Sequence, residues 1–134
     1  MSINPDDYPI PCTGNVCAGD VILFTEAVFG GSLRKPSFLG KRRIAAKVLR
    51  DSYGSAKQQH TFTLEIIASD GFQPLSAGDV IRRKGRNVYR NGTARKAWAN
   101  ESERGAALSE KYGRGDAARS AREARRNEEG FYNV

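Results

Sequence analysis

Apolar and polar residues alternate most cleanly between positions 60 and 68, where Phe62, Leu64 and Ile66 interleave with Thr61, Thr63 and Glu65. A period of two puts the first set on one face of a strand and the second on the other. Ile44, Ala46 and Val48, set against Arg43, Lys47 and Leu49, predict a second strand over 42–53 with one face in the core. These two strands should pair as a hairpin, closed by a turn over 52–59 that contains Gly54. Upstream, Val21-Ile22-Leu23-Phe24 and Ala27-Val28-Phe29 form an apolar run with little alternation. Such a run suits a central strand covered on both faces. It should start at Gly19-Asp20 and stop at Gly30-Gly31, and the loop to Gly40, with Arg34, Lys35 and Pro36, should be exposed.

Asp70-Gly71 predicts a turn, and a short echo follows it. Ala18-Gly19-Asp20-Val21-Ile22 recurs as Ala77-Gly78-Asp79-Val80-Ile81. Gly-Asp allows a tight turn and Val-Ile opens a β-branched strand, so both segments should enter the sheet by the same device. Both aspartates are then turn residues. Residues 84–87 read as a turn and 88–90 as a short strand, and Asn91-Gly92 has the composition of a type I′ hairpin turn into a last strand over 93–98. Five to six short strands within 19–98 predict a small antiparallel, barrel-like sheet of the SH3-like or OB-like kind.

Beyond residue 99 the pattern turns helical, with Ala106, Ala107, Leu108 and Tyr112 near helical spacing. Gly113 and Gly115 should break this helix, and Asp116 should cap a second one whose apolar side is all alanine. Arg119 and Glu123 are placed to pair along it, and Phe131-Tyr132 could anchor its end. The chain is therefore expected to be α+β. An extended arm over 1–18 and a charged helical tail over 99–134 flank the β domain.

Charge sharpens this division. The 22 basic and 15 acidic residues give a net charge of +7, but residues 1–33 contain four acids and no base. Residues 34–98 hold 15 basic residues against four acids, and the tail holds seven of each. Without an apolar stretch of signal-peptide or membrane-span length, a cytoplasmic protein is expected. Cys12 and Cys17 read as free thiols, and with His60 as the one histidine neither a metal site nor any cofactor is expected. No phosphate-binding loop, dinucleotide fingerprint or paired catalytic side chains occur, so no enzymatic activity is expected.

The candidate chemistry lies in residues 81–96, which carry seven positive charges and no acid. Arg82, Arg83, Lys84, Arg86 and Arg90 would contact phosphates, with Arg42 and Arg43 extending the path. Tyr89 or Trp98 would offer a face on which bases stack. Gly78-Asp79-Val80-Ile81, with its basic residues and glycine turn, resembles the start of a KOW-type SH3-like motif of ribosomal and transcription proteins, although Arg86-Asn87-Val88 departs from that motif's later glycine pattern. Residues and pattern together predict a non-catalytic nucleic-acid-binding protein, for DNA or RNA. The alternative is a small accessory or inhibitory interaction module, of a type found on phages or plasmids, that docks on an acidic protein and can self-associate through its helices.

Overall fold

The structure is a computed structural model and describes residues 3–53 and 60–132. Strands β1 (Ile10–Pro11), β2 (Val21–Gly31), β3 (Pro36–Tyr53), β4 (His60–Gly71), β5 (Val80–Lys84) and β6 (Thr93–Arg95) form one antiparallel sheet in the order β1-β6-β2-β3-β4-β5. A short helix, α1 (Gly85–Tyr89), joins β5 to β6, and a long one, α2 (Glu101–Tyr132), follows β6. The fold is thus α+β. The sheet is not closed, and β1 and β5 are its two edges.

The alternating segments behave as their pattern requires. Phe62, Leu64 and Ile66 face Ile44, Ala46 and Val48 in a core completed by Ile22, Phe24 and Val88. β3 and β4 pair from Arg42↔Gly71 to Tyr53↔His60, and the turn expected between them falls, from residue 54 onward, outside the described residues. β2 lies inside the sheet, between β6 and β3. Its opposite face carries a smaller cluster in which Ile3 and Tyr8 cover Ala45 beside Val21 and Leu23. The N-terminal arm is therefore extended only over β1. Before that it turns at Pro5–Asp7 and buries two apolar side chains on the sheet.

Three other expectations change. β3 begins at Pro36, six residues early, because the segment expected to be loop pairs through its backbone with the end of β2. Asp70-Gly71 closes β4 rather than turning the chain. Asp70 is held there by Arg43 at 2.6 Å, and a side chain at Gly71 would strike the Lys41 carbonyl at 2.6 Å. The expected strand at 88–90 is helical, and β5 and β6 do not form a hairpin. α1 carries the chain from the β5 edge to β6, beyond β2, and turns Val88 into the core on the way. Asn91-Gly92 does turn, with Gly92 at φ +85° and its N–H bonded to the Tyr89 carbonyl, but it feeds β6 onto β2.

The sequence echo is a repeat in hydrogen bonding. Gly19 N–H donates to Val48 O and Val48 N–H donates to Asp20 O; Gly78 N–H donates to Ile66 O and Ile66 N–H donates to Asp79 O. Both glycines have φ between +90° and +97°, the left-handed region that other residues avoid. The aspartates then diverge. Asp79 is an exposed turn residue, as expected, whereas Asp20 is fully buried and collects the rest of the molecule.

Asp20 accepts a bidentate pair from Arg104 of α2, Nε to Oδ1 at 2.8 Å and the terminal nitrogen to Oδ2 at 2.9 Å. It also accepts from the Cys17 N–H at 3.0 Å and from the Trp98 indole at 2.7 Å. Three turns along α2, Arg114 pairs with Asp51, whose other oxygen accepts from the Ala18 N–H. Between them Lys111 is 1% exposed, with Nζ 2.5 Å from the Val16 carbonyl and above the Phe62 ring. Residues 104, 111 and 114 share one helix face, so α2 docks by a basic stripe in place of an apolar one. Asn100 caps the helix by accepting from the Ser102 N–H at 2.9 Å. The expected break at Gly113 and Gly115 is absent, and α2 runs through both. The interior glycines cost only about 1 kcal/mol each. Of the expected alanine face only Ala117 is described, and it is exposed; the other alanines, the expected Arg119–Glu123 pair and the Phe131-Tyr132 anchor concern side chains outside those described.

Removing the Asp20 charge leaves Arg104 buried without a counter-ion. Asp20→Asn is expected to lower unfolding free energy by roughly 3–5 kcal/mol, read from urea denaturation, and Asp20→Asn combined with Arg104→Met should recover part of the loss.

The same contacts set the acid limit. Burial alone would raise the Asp20 carboxyl, but the bonds from Arg104, Cys17 and Trp98 hold it below its ordinary value. Hydrogen bonds from Arg95 and the Trp98 N–H hold Glu101 at about 2. Carboxyls lowered in the folded state bind protons more readily when unfolded, so stability is complete above about pH 4.5 and falls as pH drops toward 2. Thermal melts across that range should trace the decline.

Cys12 and Cys17 lie in the interior at 1% and 0% exposure. Burial first, and the Asp20 charge second, push their thiols up to about 12 and about 11. An aromatic disulfide reagent at pH 8 should find no fast-reacting thiol in the native protein and two in denaturant.

Candidate functional site

β5 is an edge strand whose side chains alternate in exposure. Ile81 packs on the core, while Val80, Arg82 and Lys84 face solvent. The chain then enters α1, where Arg86 and Arg90 are one helical turn apart and both exposed. None of Arg82, Lys84, Arg86 and Arg90 forms an ion pair with a described residue. Register extends this edge across the sheet. Thr63 of β4 is opposite Arg82 on one side and Arg50 on the other, so Arg50 and Arg82 lie about 10 Å apart, two strand spacings. Lys47 follows two rows along, opposite Glu65. Arg50 and Lys47 were not expected at this surface because sequence alone does not say that β4 separates β3 from β5.

The other nominated residues lie elsewhere, each with its polar group engaged. Arg83 turns to the inner face and meets Glu26 of β2 at 2.9 Å, where Arg42 of β3 also arrives at 2.8 Å. Burial would raise the Glu26 carboxyl, but the bonds from Arg83 and then Arg42 hold it below its usual range. β3 and β4 stand between β2 and β5 in the sheet, so the Arg83–Glu26 pair requires the sheet to curl. Arg43 points to the opposite face, to Asp70 and the Ile3 carbonyl. The Tyr89 hydroxyl accepts from the Val16 N–H at 3.1 Å, and its ring stands edge-on to Phe62. The Trp98 ring covers Gly19, where a Cβ would come within 2.7 Å of it, and its N–H is given to Asp20. Both aromatic rings are thus parts of the framework.

Among the described residues no three His, Cys, Asp or Glu side chains cluster as metal ligands. None of the described helices is long and apolar enough to cross a membrane. A shallow cavity of about 500 Å³ lies between the arm and the β2–β6 pair, lined by Pro5, Tyr8, Pro11, Leu23 and Thr93. It does not reach the basic edge.

A protein family described as a domain of unknown function, DUF7699, matches residues 17–98. That span runs from Cys17 to Trp98, both of which bond to Asp20. A protein of Oryza sativa subsp. japonica named zinc finger CCCH domain-containing protein 62 is 41% identical over 123 residues. The alignment takes in 88% of this chain and 18% of the rice protein, so the chain spans less than a fifth of that relative. No solved structure matches the chain. With more than half of its residues inside the matched span, the chain belongs to the DUF7699 family.

Proposed function

We propose that this domain binds nucleic acid, without catalysis, along the edge made by Arg82, Lys84, Arg86 and Arg90 and widened by Arg50 and Lys47. The observation that carries the reading is the row of four exposed cations without an ionic partner among the described residues, continuous from β5 into α1. Cations already paired inside a protein gain little from a phosphate, whereas these four exchange only water and mobile ions for one. Arg42, Arg43 and Arg83 leave the proposed path because Glu26 and Asp70 already hold them. Tyr89 and Trp98 leave it because the framework uses their polar groups.

The barrel-like character expected of the sheet belongs to this reading. The curl that lets Arg83 meet Glu26 supports it, and it would turn β5 and its cations outward along a convex rim. The rice relative's name reports a CCCH zinc finger in that protein. This chain has two cysteines and one histidine, both cysteines buried, so the residues present do not fit a site of three Cys and one His.

One observation favours a protein partner instead. Leu49, Ile67 and Val80 are exposed close to the same cations, and apolar groups beside basic ones suit an acidic protein surface.

The test is titration of the protein with single-stranded DNA, duplex DNA and RNA over a range of salt. Binding should weaken steeply as salt rises. The combined variant Arg82→Ala, Lys84→Ala, Arg86→Ala and Arg90→Ala should keep its fold and flatten the log–log salt slope by about 3, at roughly 0.7–0.9 for each phosphate left without its cation. An unchanged slope removes the edge from the site. Absence of binding at low salt transfers the surface to a protein partner.

A further inference from the structure

The β2–β3 hairpin reaches beyond the sheet. β6 pairs with β2 only at Ile22, Leu23 and Phe24, and β4 pairs with β3 only from Arg42 onward. Residues 27–41 therefore form a two-stranded ribbon whose strand pairing is with itself, tied to the rest of the chain at its base by the Phe72 N–H, which donates to the Lys41 carbonyl at 2.9 Å. Isolated ribbons are marginal in water, and exposed apolar groups along one need a reason. This one presents Phe29 at 57% and Phe38 at 60% exposure, directly opposite each other, with Phe72 packed beside it over Gly40. The Phe29 and Phe38 rings meet at 6.0 Å and 68°, edge to face, an arrangement that leaves ring surface open to solvent. Arg34, Lys35 and Lys41 are exposed on the same ribbon, which contains no acidic residue.

We infer that this ribbon is a second contact surface, a stacking platform for single-stranded nucleic acid. The inference rests on the nucleic-acid reading and adds to it the strand state of the ligand and the rings that select it. Bases in a duplex hide their faces in the stack, while an unpaired base can lay its face on a ring. Three cations around two exposed rings give a phosphate chain something to follow between stacked bases. Neither Tyr89 nor Trp98 is available for this, so Phe29 and Phe38 supply the aromatic part that the basic edge lacks. The two surfaces are also far apart. Phe38 and Arg50 are twelve positions apart on β3, roughly 40 Å along the strand, so one strand engaging both must span many nucleotides.

The experiment titrates oligo(dT), oligo(rU) and a DNA duplex of matched length into four full-length proteins. These are the wild type, Phe29→Leu with Phe38→Leu, Phe29→Tyr with Phe38→Tyr, and the four-residue variant of the basic edge. Leucine keeps the apolar volume and removes the ring, so the fold is spared. The leucine pair should lose about tenfold or more in affinity for single strands, at an unaltered salt slope and with duplex binding unchanged. The tyrosine pair should bind as the wild type does. Equal losses on duplex and single strand, or none on either, overturn the inference while the nucleic-acid reading stands. A wild type that binds no nucleic acid at low salt overturns that reading, and the inference with it. Binding to anionic phospholipid vesicles that is lost in the leucine pair, without a single-strand effect, assigns the ribbon to a lipid surface and also overturns the inference.

Discussion

A carboxylate buried at 0% exposure is tolerable only if its charge is matched and its oxygens are occupied, and Asp20 meets both conditions through groups from distant parts of the chain. Cys17 lies three residues away, Trp98 comes from the segment after β6, and Arg104 comes from the first turns of α2. A single side chain therefore ties the start of β2 to the end of the domain and to the helix beyond it. Gly19 permits this geometry. Its positive φ turns the chain into β2, and its missing side chain leaves room for the Trp98 ring. Arg104 also bonds to the Asn15 carbonyl at 2.8 Å, which fixes the loop ahead of Gly19. Lys111 holds the neighbouring Val16 carbonyl. The segment from Asn15 to Asp20 is thus clamped from one side by helix cations.

Most of the described arginines, and several lysines, can be sorted by what surrounds them. Arg42, Arg43, Arg83, Arg95, Arg104 and Arg114 close ion pairs within the fold. Arg82, Lys84, Arg86 and Arg90 remain at the surface, with Arg34, Lys35 and Lys41 on the ribbon. The concentration of positive charge along 34–98 is therefore partly structural. Glu26 illustrates the structural share, since one carboxylate draws β3 and β5 together across the inner face of the sheet. The exposed cations named here lie in two places rather than one continuous stripe.

Period-two alternation identified β3 and β4, because one face of each is packed and much of the other is wet, while the unbroken apolar run identified β2, which is covered on both faces. The Gly-Asp echo correctly marked two strand entries, because positive φ at Gly19 and Gly78 is a local requirement. What stayed hidden was set by distant partners. Residues 85–89 have no strong local preference, and they become a helix because the chain must cross from one side of the sheet to the other with Val88 inward. Arg83 and Arg82 are adjacent and alike in sequence, yet strand alternation sends one to Glu26 and the other to solvent. The docking face of α2 was missed because an apolar stripe is the usual sign of a packed helix, whereas this one packs through Arg104, Lys111 and Arg114. Their spacing of seven and three residues was the available signal, together with two aspartates, Asp20 and Asp51, set in the β-rich part of the chain.

That basic seam gives α2 a thermal character unlike that of the sheet. Hydration of apolar surface is the source of the positive heat capacity of unfolding, while exposure of polar surface lowers it. Separating α2 from the sheet uncovers the paired guanidinium and carboxylate groups and the Lys111 ammonium, together with Ala107, Leu108 and the Phe62 ring beneath Lys111. The polar share lowers the heat-capacity change of that step, so its free energy curves less with temperature than that of the core. The sheet core of Ile22, Phe24, Phe62 and Leu64 follows the ordinary domed curve. On cooling, the core loses hydrophobic driving force while the seam does not, and the helix becomes the part of the molecule least sensitive to cold.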